Sequence, residues 1–232
     1  MIGGVFVTGT DTEVGKTGIS AALLHLLGQG GALSAGYKPV AAGTDADGRN
    51  DDVSALQAAS SLPLTTDEIC PALFHTACAP HIAAQLEGRT IDPAELRIGA
   101  MHLAPLCDWL VVEGVGGFRV PLAPGWDSAD LACEIRLPVL LVVGLRLGCI
   151  SHALLTAEAI RARGLRLAGW VGNAIDPHFA HRDANIDTLR EALAPAPCLG
   201  LVPWLPDASA AAIAPHLDEA ALRTALTLNP AH

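Results

Sequence analysis

Nine residues near the amino end, Gly9-Thr10-Asp11-Thr12-Glu13-Val14-Gly15-Lys16-Thr17, constrain this chain more than any others. An apolar run from Ile2 to Thr8 precedes them and an alanine- and leucine-rich run from Ile19 to Leu27 follows. The segment is therefore predicted to be strand, phosphate loop and helix. In that order, backbone N–H groups opened by glycines surround a polyphosphate at a helix N-terminus. A lysine ammonium reaches the outer phosphates, and a hydroxyl serves a magnesium ion. The spacing is a variant, because five residues separate Gly9 from Gly15 where the usual pattern has four. The plain alternative is a chance Gly-Lys-Thr in a strand-to-helix turn, and the apolar flanks weigh against it.

The 232 residues, 51% of them apolar, suffice for one substantial core, so a single domain over residues 1–232 is expected. A formal charge of −10 argues against nucleic acid or an anionic membrane as partner, since no basic stripe exists to neutralise an extended array of phosphates. The amino end lacks a leader pattern and no run approaches a membrane span, which predicts a cytosolic protein. Six cysteines without any Cys-x-x-Cys suggest buried free thiols rather than a zinc site or disulfides. His178 and His181 have no third ligand cluster and read as a solvated helix start after Pro177.

Of fourteen basic residues only two, Lys16 and Lys38, are lysines. A compact, rotatable ammonium suits a crowded phosphate pocket better than a planar guanidinium, so both escapes from the arginine bias point to the same site.

Residues Gly36 to Val40 are predicted to form a second parallel strand with Lys38 at its carboxyl end, the ligand side of an open α/β sheet. A polar loop over 41–50 leads to a helix opened by Asp51-Asp52, either of which can cap it. Residues 60–89, punctuated by Pro63, Pro71 and Pro80, read as irregular apart from a short helical stretch over 81–86. A helix runs from Pro93 towards Leu106. Trp109 to Gly114 is an apolar strand ending in the carboxylate of Glu113, followed by the glycine-rich Val115 to Phe118. Strands over 138–144, 167–173 and 199–204 alternate with helices over 152–163 and around 187–193, and 208–214 reads as a plain surface helix. Such alternation predicts an α/β fold whose parallel sheet is covered on both faces.

Three oxygen donors can converge on one Mg²⁺: the Thr17 hydroxyl, Glu113, and Asp51 or Asp52, of which Asp52 is favoured. Lys16 and Lys38 would neutralise charge on a transferred phosphoryl group. Asn173, at a strand end, suits either an adenine edge or the closing of a turn.

In order and over nearly the whole chain, GTDTEVGKT, AGYKPVAAG, RNDD, PHIAAQLEGR, WLVVEGVGGF, PVLLVVGLRLGCISHA, LAGWVGN and LVPWL resemble the dethiobiotin synthetase family of biotin biosynthesis. The resemblance implies a P-loop NTPase-like, three-layer α/β/α sandwich with a mainly parallel central sheet. It implies an ATP-dependent enzyme that carboxylates 7,8-diaminopelargonate with CO₂, phosphorylates the carbamate with Mg·ATP and closes the ureido ring. Carried onto this sequence, the nucleotide contacts are Glu13, Val14, Gly15, Lys16, Thr17 and Gly18, then Asp52 and Glu113 to Gly116 (Glu113, Gly114, Val115, Gly116), then Asn173 and Ala174, then Pro203, Trp204 and Leu205. Thr17, Asp52 and Glu113 match the magnesium ligands, and Lys38, with Lys16, carries the catalytic role.

The resemblance further implies a homodimer in which Gly148, Cys149, Ile150 and Ser151 of one subunit receive the carboxylate tail of substrate held at the other subunit's phosphate loop. Ser151 is expected to cap a helix beginning near His152. Lys38, Ala42 and Thr44 complete the implied substrate site, with Ala42 standing where the family has serine and Thr44 as the substitute hydroxyl. Arg146 and Ser151 replace the family's lysine and asparagine. Two other readings are weaker. Partner-regulated ATPase switches of the partitioning type carry a signature lysine five residues before the loop lysine, where this chain has Asp11. A cobalamin-pathway amidotransferase would need a glutaminase domain for which 232 residues leave no room.

Overall fold

Strand β1 (Gly3–Gly9), buried along its whole length, lies inside a six-stranded sheet in the computed structural model, which describes residues 1–228. The phosphate loop carries the chain from β1 into α1 (Lys16–Leu27), and β2 (Ser34–Tyr37) returns to the sheet. A smaller layer follows: β3 (Val40–Ala42), α2 (Asp51–Ala59), α3 (Thr66–Ile69), β4 (Ala72–Phe74), α4 (Pro80–Leu86) and α5 (Pro93–Leu103). Next come β5 (Trp109–Gly117), a hairpin of β6 (Pro121–Ala123) and β7 (Trp126–Asp127), α6 (Ser128–Ile135) and β8 (Val139–Gly144). The remainder is α7 (Cys149–Ala162), β9 (Leu167–Asn173), α8 (Arg182–Ala192), β10 (Cys198–Val202), α9 (Ala210–Ile213) and α10 (Glu219–Leu226).

The sheet order is β10-β9-β8-β1-β5-β2, and every neighbouring pair is parallel. Side chains alternate across a strand, so each central strand must feed two cores. In β8, Leu140 and Val142 join Ile19 and Leu23 of α1, while Leu141 and Val143 join Ala153 and Ala157 of α7 and Leu189 of α8. Helices thus cover both faces, giving the expected three-layer P-loop architecture.

Several local expectations are corrected. The strand predicted over 36–40 is two strands: the edge strand β2 ends at Tyr37, and Pro39, with no N–H to donate, lies where the chain leaves the sheet. Lys38 N donates to Ile69 O at 2.8 Å, and β3 pairs with β4 in a separate parallel ribbon. The segment 60–89 is ordered around that ribbon: Thr65 and Glu68 form a capping box for α3, and Phe74, Ala83 and Ala84 share a small core with Ile91, Leu96 and Leu122. The β6–β7 hairpin and α6 were not anticipated, although Asp127 and Asp130 close a capping box at the start of α6.

Helix α7 begins at Cys149, not near His152. Gly148, at φ 94°, is its N-cap, so Ser151 lies inside the first turn and makes no capping bond. Helix α8 starts at Arg182, and β10 ends at Val202, leaving Pro203 and Trp204 beyond the strand. Residues 210–213 are not a plain surface helix: Ile213 is buried, and a Cβ on Gly18 of α1 would lie 2.7 Å from its Cδ1. The thiols are not uniformly buried either, since Cys78 is exposed.

Candidate active site

The phosphate loop is held in shape by its surroundings. Gly15 has φ 88°, and a Cβ there would overlap the Asn173 side chain, so the position requires glycine. Glu13 adopts φ 59°, a conformation non-glycine residues rarely take and which clusters at functional loops. The Asn173 amide donates to Val14 O at 2.9 Å, so this side chain does not close its own turn but fastens the loop to the end of β9. Val14 is buried against Gly144 at the end of β8. No acidic residue occupies the first turn of α1, which leaves its N-terminal field free to attract an anion.

Around Thr17 the predicted oxygens converge. Its hydroxyl lies 2.7 Å from Asp52 Oδ1 and 2.9 Å from Glu113 Oε1. Neither Asp51 nor Asp52 caps α2: Asn50 does, accepting from Val53 N, which leaves Asp51 exposed and Asp52 turned towards Thr17. Lys38 donates to Asp52 Oδ2 at 2.9 Å and to Glu113 Oε1. Burial is the largest influence on Lys38 and disfavours its charge, but Glu113 and Asp52 together outweigh it and raise its pKa above the ordinary lysine range. Burial likewise disfavours the Asp52 anion, yet Lys38 and the Thr17 hydroxyl bring its pKa below the usual carboxylate value.

Lys16 donates to the carbonyl of Asp11 at 3.0 Å. Burial, with Lys38 nearby, pushes its pKa down to about 8. Lys16 and Lys38 are 7% and 2% exposed and are the buried cations among the described residues, which gives the arginine bias a physical meaning.

Glu113 Oε2 is buried and finds no hydrogen-bond partner in the protein. An orphaned acceptor of this kind is costly, and a hard cation or its bound water would satisfy it. Thr17, Asp52 and Glu113 therefore fit Mg²⁺, which takes few protein oxygens and completes its shell with phosphate and water.

Two cavities meet at the first turn of α1. One, of about 850 Å³, runs past Gly18, Asn173, Ala174, Pro203, Trp204 and Leu205. The other, of about 920 Å³, holds Lys16, Lys38, Ala42, Val115 and Gly116. Glu13, Gly15, Thr17 and Asp52 line both, so they mark the junction. Gly114 O lies 3.4 Å from Lys38 Nζ beneath that junction.

Other predicted residues stand apart. Thr44 lines neither cavity, and its hydroxyl contacts His75 Nδ1 at 2.9 Å. Gly148, Cys149, Ile150 and Ser151 also line neither cavity of their own chain. Conversely, the second cavity is walled by Ala77, Cys78, Pro80 and Val120, which the sequence did not single out. The first three come from the segment 60–89, whose short elements lack a clear period, and Val120 from the link between β5 and β6.

A family model described as an AAA domain matches residues 3–212. The ATP-dependent dethiobiotin synthetase BioD of Aromatoleum aromaticum is 51% identical over 215 residues, covering 91% of this chain and 95% of that protein. That of Janthinobacterium sp. is 50% identical, covering 92% and 93%. Among solved structures, the septum site-determining protein MinD of Pyrococcus horikoshii complexed with Mg-ADP matches with a TM-score of 0.61 at 15% identity, covering 97% of this chain and 95% of that one, which speaks to the fold alone. At half of all positions over nine-tenths of the chain, with the phosphate loop, Lys38, Asp52 and Glu113 assembled as described, this chain belongs to the ATP-dependent dethiobiotin synthetases, ligases of biotin biosynthesis.

Proposed function

We propose that residues 1–232 form one synthetase domain that converts 7,8-diaminopelargonate, CO₂ and ATP to dethiobiotin, ADP and phosphate. The observation that carries this reading is the meeting of two cavities at Glu13, Gly15, Thr17 and Asp52, with Lys16 and Lys38 in the wall of one and buried Glu113 bonded to Thr17 and Lys38, an arrangement suited to phosphoryl transfer from a nucleotide to a second substrate. The nucleotide lies along the cavity past Asn173 and Trp204, and the diamine lies in the cavity beside Ala42. One amine adds to CO₂ and loses a proton, giving a carbamate. A carbamate oxygen then bonds to the γ-phosphorus as the bond to ADP breaks. The second amine bonds to the carbamate carbon and loses a proton, and phosphate leaves with the carbamate oxygen.

Lys16 and Lys38 meet the charge that gathers on the transferring group from two sides, already fixed by Asp11 O and by the two carboxylates. Magnesium, held by Thr17, Asp52 and Glu113, would supply additional charge neutralisation on the phosphates. Ala77, Pro80, Val115 and Val120 give the second cavity an apolar wall beside the lysines.

The working unit in this reading is a homodimer. Leu147 is 87% exposed and Leu155 63% exposed beside Ser151, an apolar surface that a second copy would cover. Residues 148–151 then face the partner's cavity rather than their own. Phosphate release should require bicarbonate and diamine together, because the phosphoryl acceptor does not exist until CO₂ has added. Full-rate release from ATP in degassed, diamine-free buffer would contradict the reading.

A further inference from the structure

Arg146, in the turn between β8 and α7, forms an ion pair with Asp11 of the phosphate loop, 135 positions away. Both side chains are partly open to solvent, at 42% and 46% exposure, and pairs this open add little to stability. The fold does not need them as a brace. The same two segments are already joined by Thr10 N donating to Val142 O at 3.0 Å, by Gly144 N donating to Thr10 Oγ1 at 3.3 Å, and by Val14 packed on Gly144.

Asp11 is tied to the site in two further ways. Its Oδ1 accepts from Thr12 N at 2.8 Å, shaping the loop, and its backbone carbonyl accepts from Lys16 Nζ. Asp11 also lines the cavity that holds Lys16 and Lys38. The carboxylate is thus part of the turn, yet it stands where a polyphosphate arrives, and its own negative charge opposes that anion.

We infer that Arg146 is a positioning residue that neutralises Asp11 at the mouth of the phosphate loop, so that the loop keeps its carboxylate-built turn without repelling Mg·ATP. The inference rests on the reading of this loop as the ATP site. It explains why a cation from a distant turn reaches across to a loop that already carries a lysine.

Calorimetric titration of Mg·ATP into the full-length wild type, Arg146→Gln, Asp11→Asn and the double variant tests it. Asn keeps an acceptor for Thr12 N. At low salt, Arg146→Gln should bind about fivefold more weakly, the size of one uncompensated charge near solvent, and the deficit should shrink as salt screens it. Asp11→Asn should bind at least as well as wild type, and the double variant should recover wild-type affinity with unfolding temperatures unchanged throughout. Wild-type affinity in Arg146→Gln overturns the inference alone. So does a deficit that persists in the double variant, which would mean that Arg146 contacts the nucleotide itself. Absence of Mg·ATP binding to the wild type would overturn the site assignment and the inference with it.

Discussion

Lys38 Nζ donates to Asp52 Oδ2 at 2.9 Å, joining residues that flank the polar loop over 43–50. Each is placed by a local device. β2 ends at Tyr37, just before Lys38 and Pro39, and Asn50 caps α2 so that Asp52 in its first turn faces inward. Asn50 also donates through Nδ2 to Gly43 O at 2.6 Å, closing the loop that brings the two together. The pair extends to Glu113, which is fully buried, so one ammonium compensates a carboxylate that water cannot reach.

Replacing Lys38 by Met should therefore destabilise the protein by about 3 kcal/mol or more, the usual consequence of removing one partner of a buried ion pair. Added Mg²⁺ should recover much of this loss, and thermal unfolding with and without the metal measures both. Lys38→Arg should keep the fold but cripple turnover, because a planar guanidinium cannot take the ammonium's place without displacing phosphate or substrate. Near-full activity in that variant would reduce Lys38 to a mere positive charge.

The proposed sharing of the substrate site between subunits is testable with two inactive variants. Lys16→Ala should lose the reaction by several orders of magnitude, since the lysine stabilises developing phosphate charge. Ser151→Trp, on the exposed first turn of α7, should block the pocket for the carboxylate tail. In co-expressed heterodimers one site would contain both intact halves, so activity should reappear although each parent is dead. Verified heterodimers without activity would mean that each site is built within one chain.

Much of this organisation was legible in the sequence because the parallel strands are continuous apolar runs and the loop between β1 and α1 has few alternative uses. Thr17, Asp52, Glu113 and Lys38 could be named because each lies at the end of such a run or the start of a helix. The wall of the second cavity could not. Ala77, Cys78 and Pro80 follow a strand of three residues, Ala72–Phe74, whose pairing with Val40–Ala42 is a tertiary choice that no local period announces. The split at Pro39 was readable in principle, since a proline has no N–H with which to continue a ladder, but the apolar character of Val40 masked it. The cap at Gly148 was misjudged because Ser151 is a good N-cap type and glycine's left-handed conformation leaves no side-chain signature.

The central claim is that ATP phosphorylates a carbamate made from CO₂. Rapid reaction of the enzyme with ¹⁸O-labelled CO₂, Mg·ATP and 7,8-diaminopelargonate, quenched before the label exchanges with water, follows the oxygens directly by mass spectrometry. The account predicts label both in the ureido carbonyl of dethiobiotin and in the released phosphate, because the departing phosphate carries a carbamate oxygen. Dethiobiotin formed alongside unlabelled phosphate would contradict it.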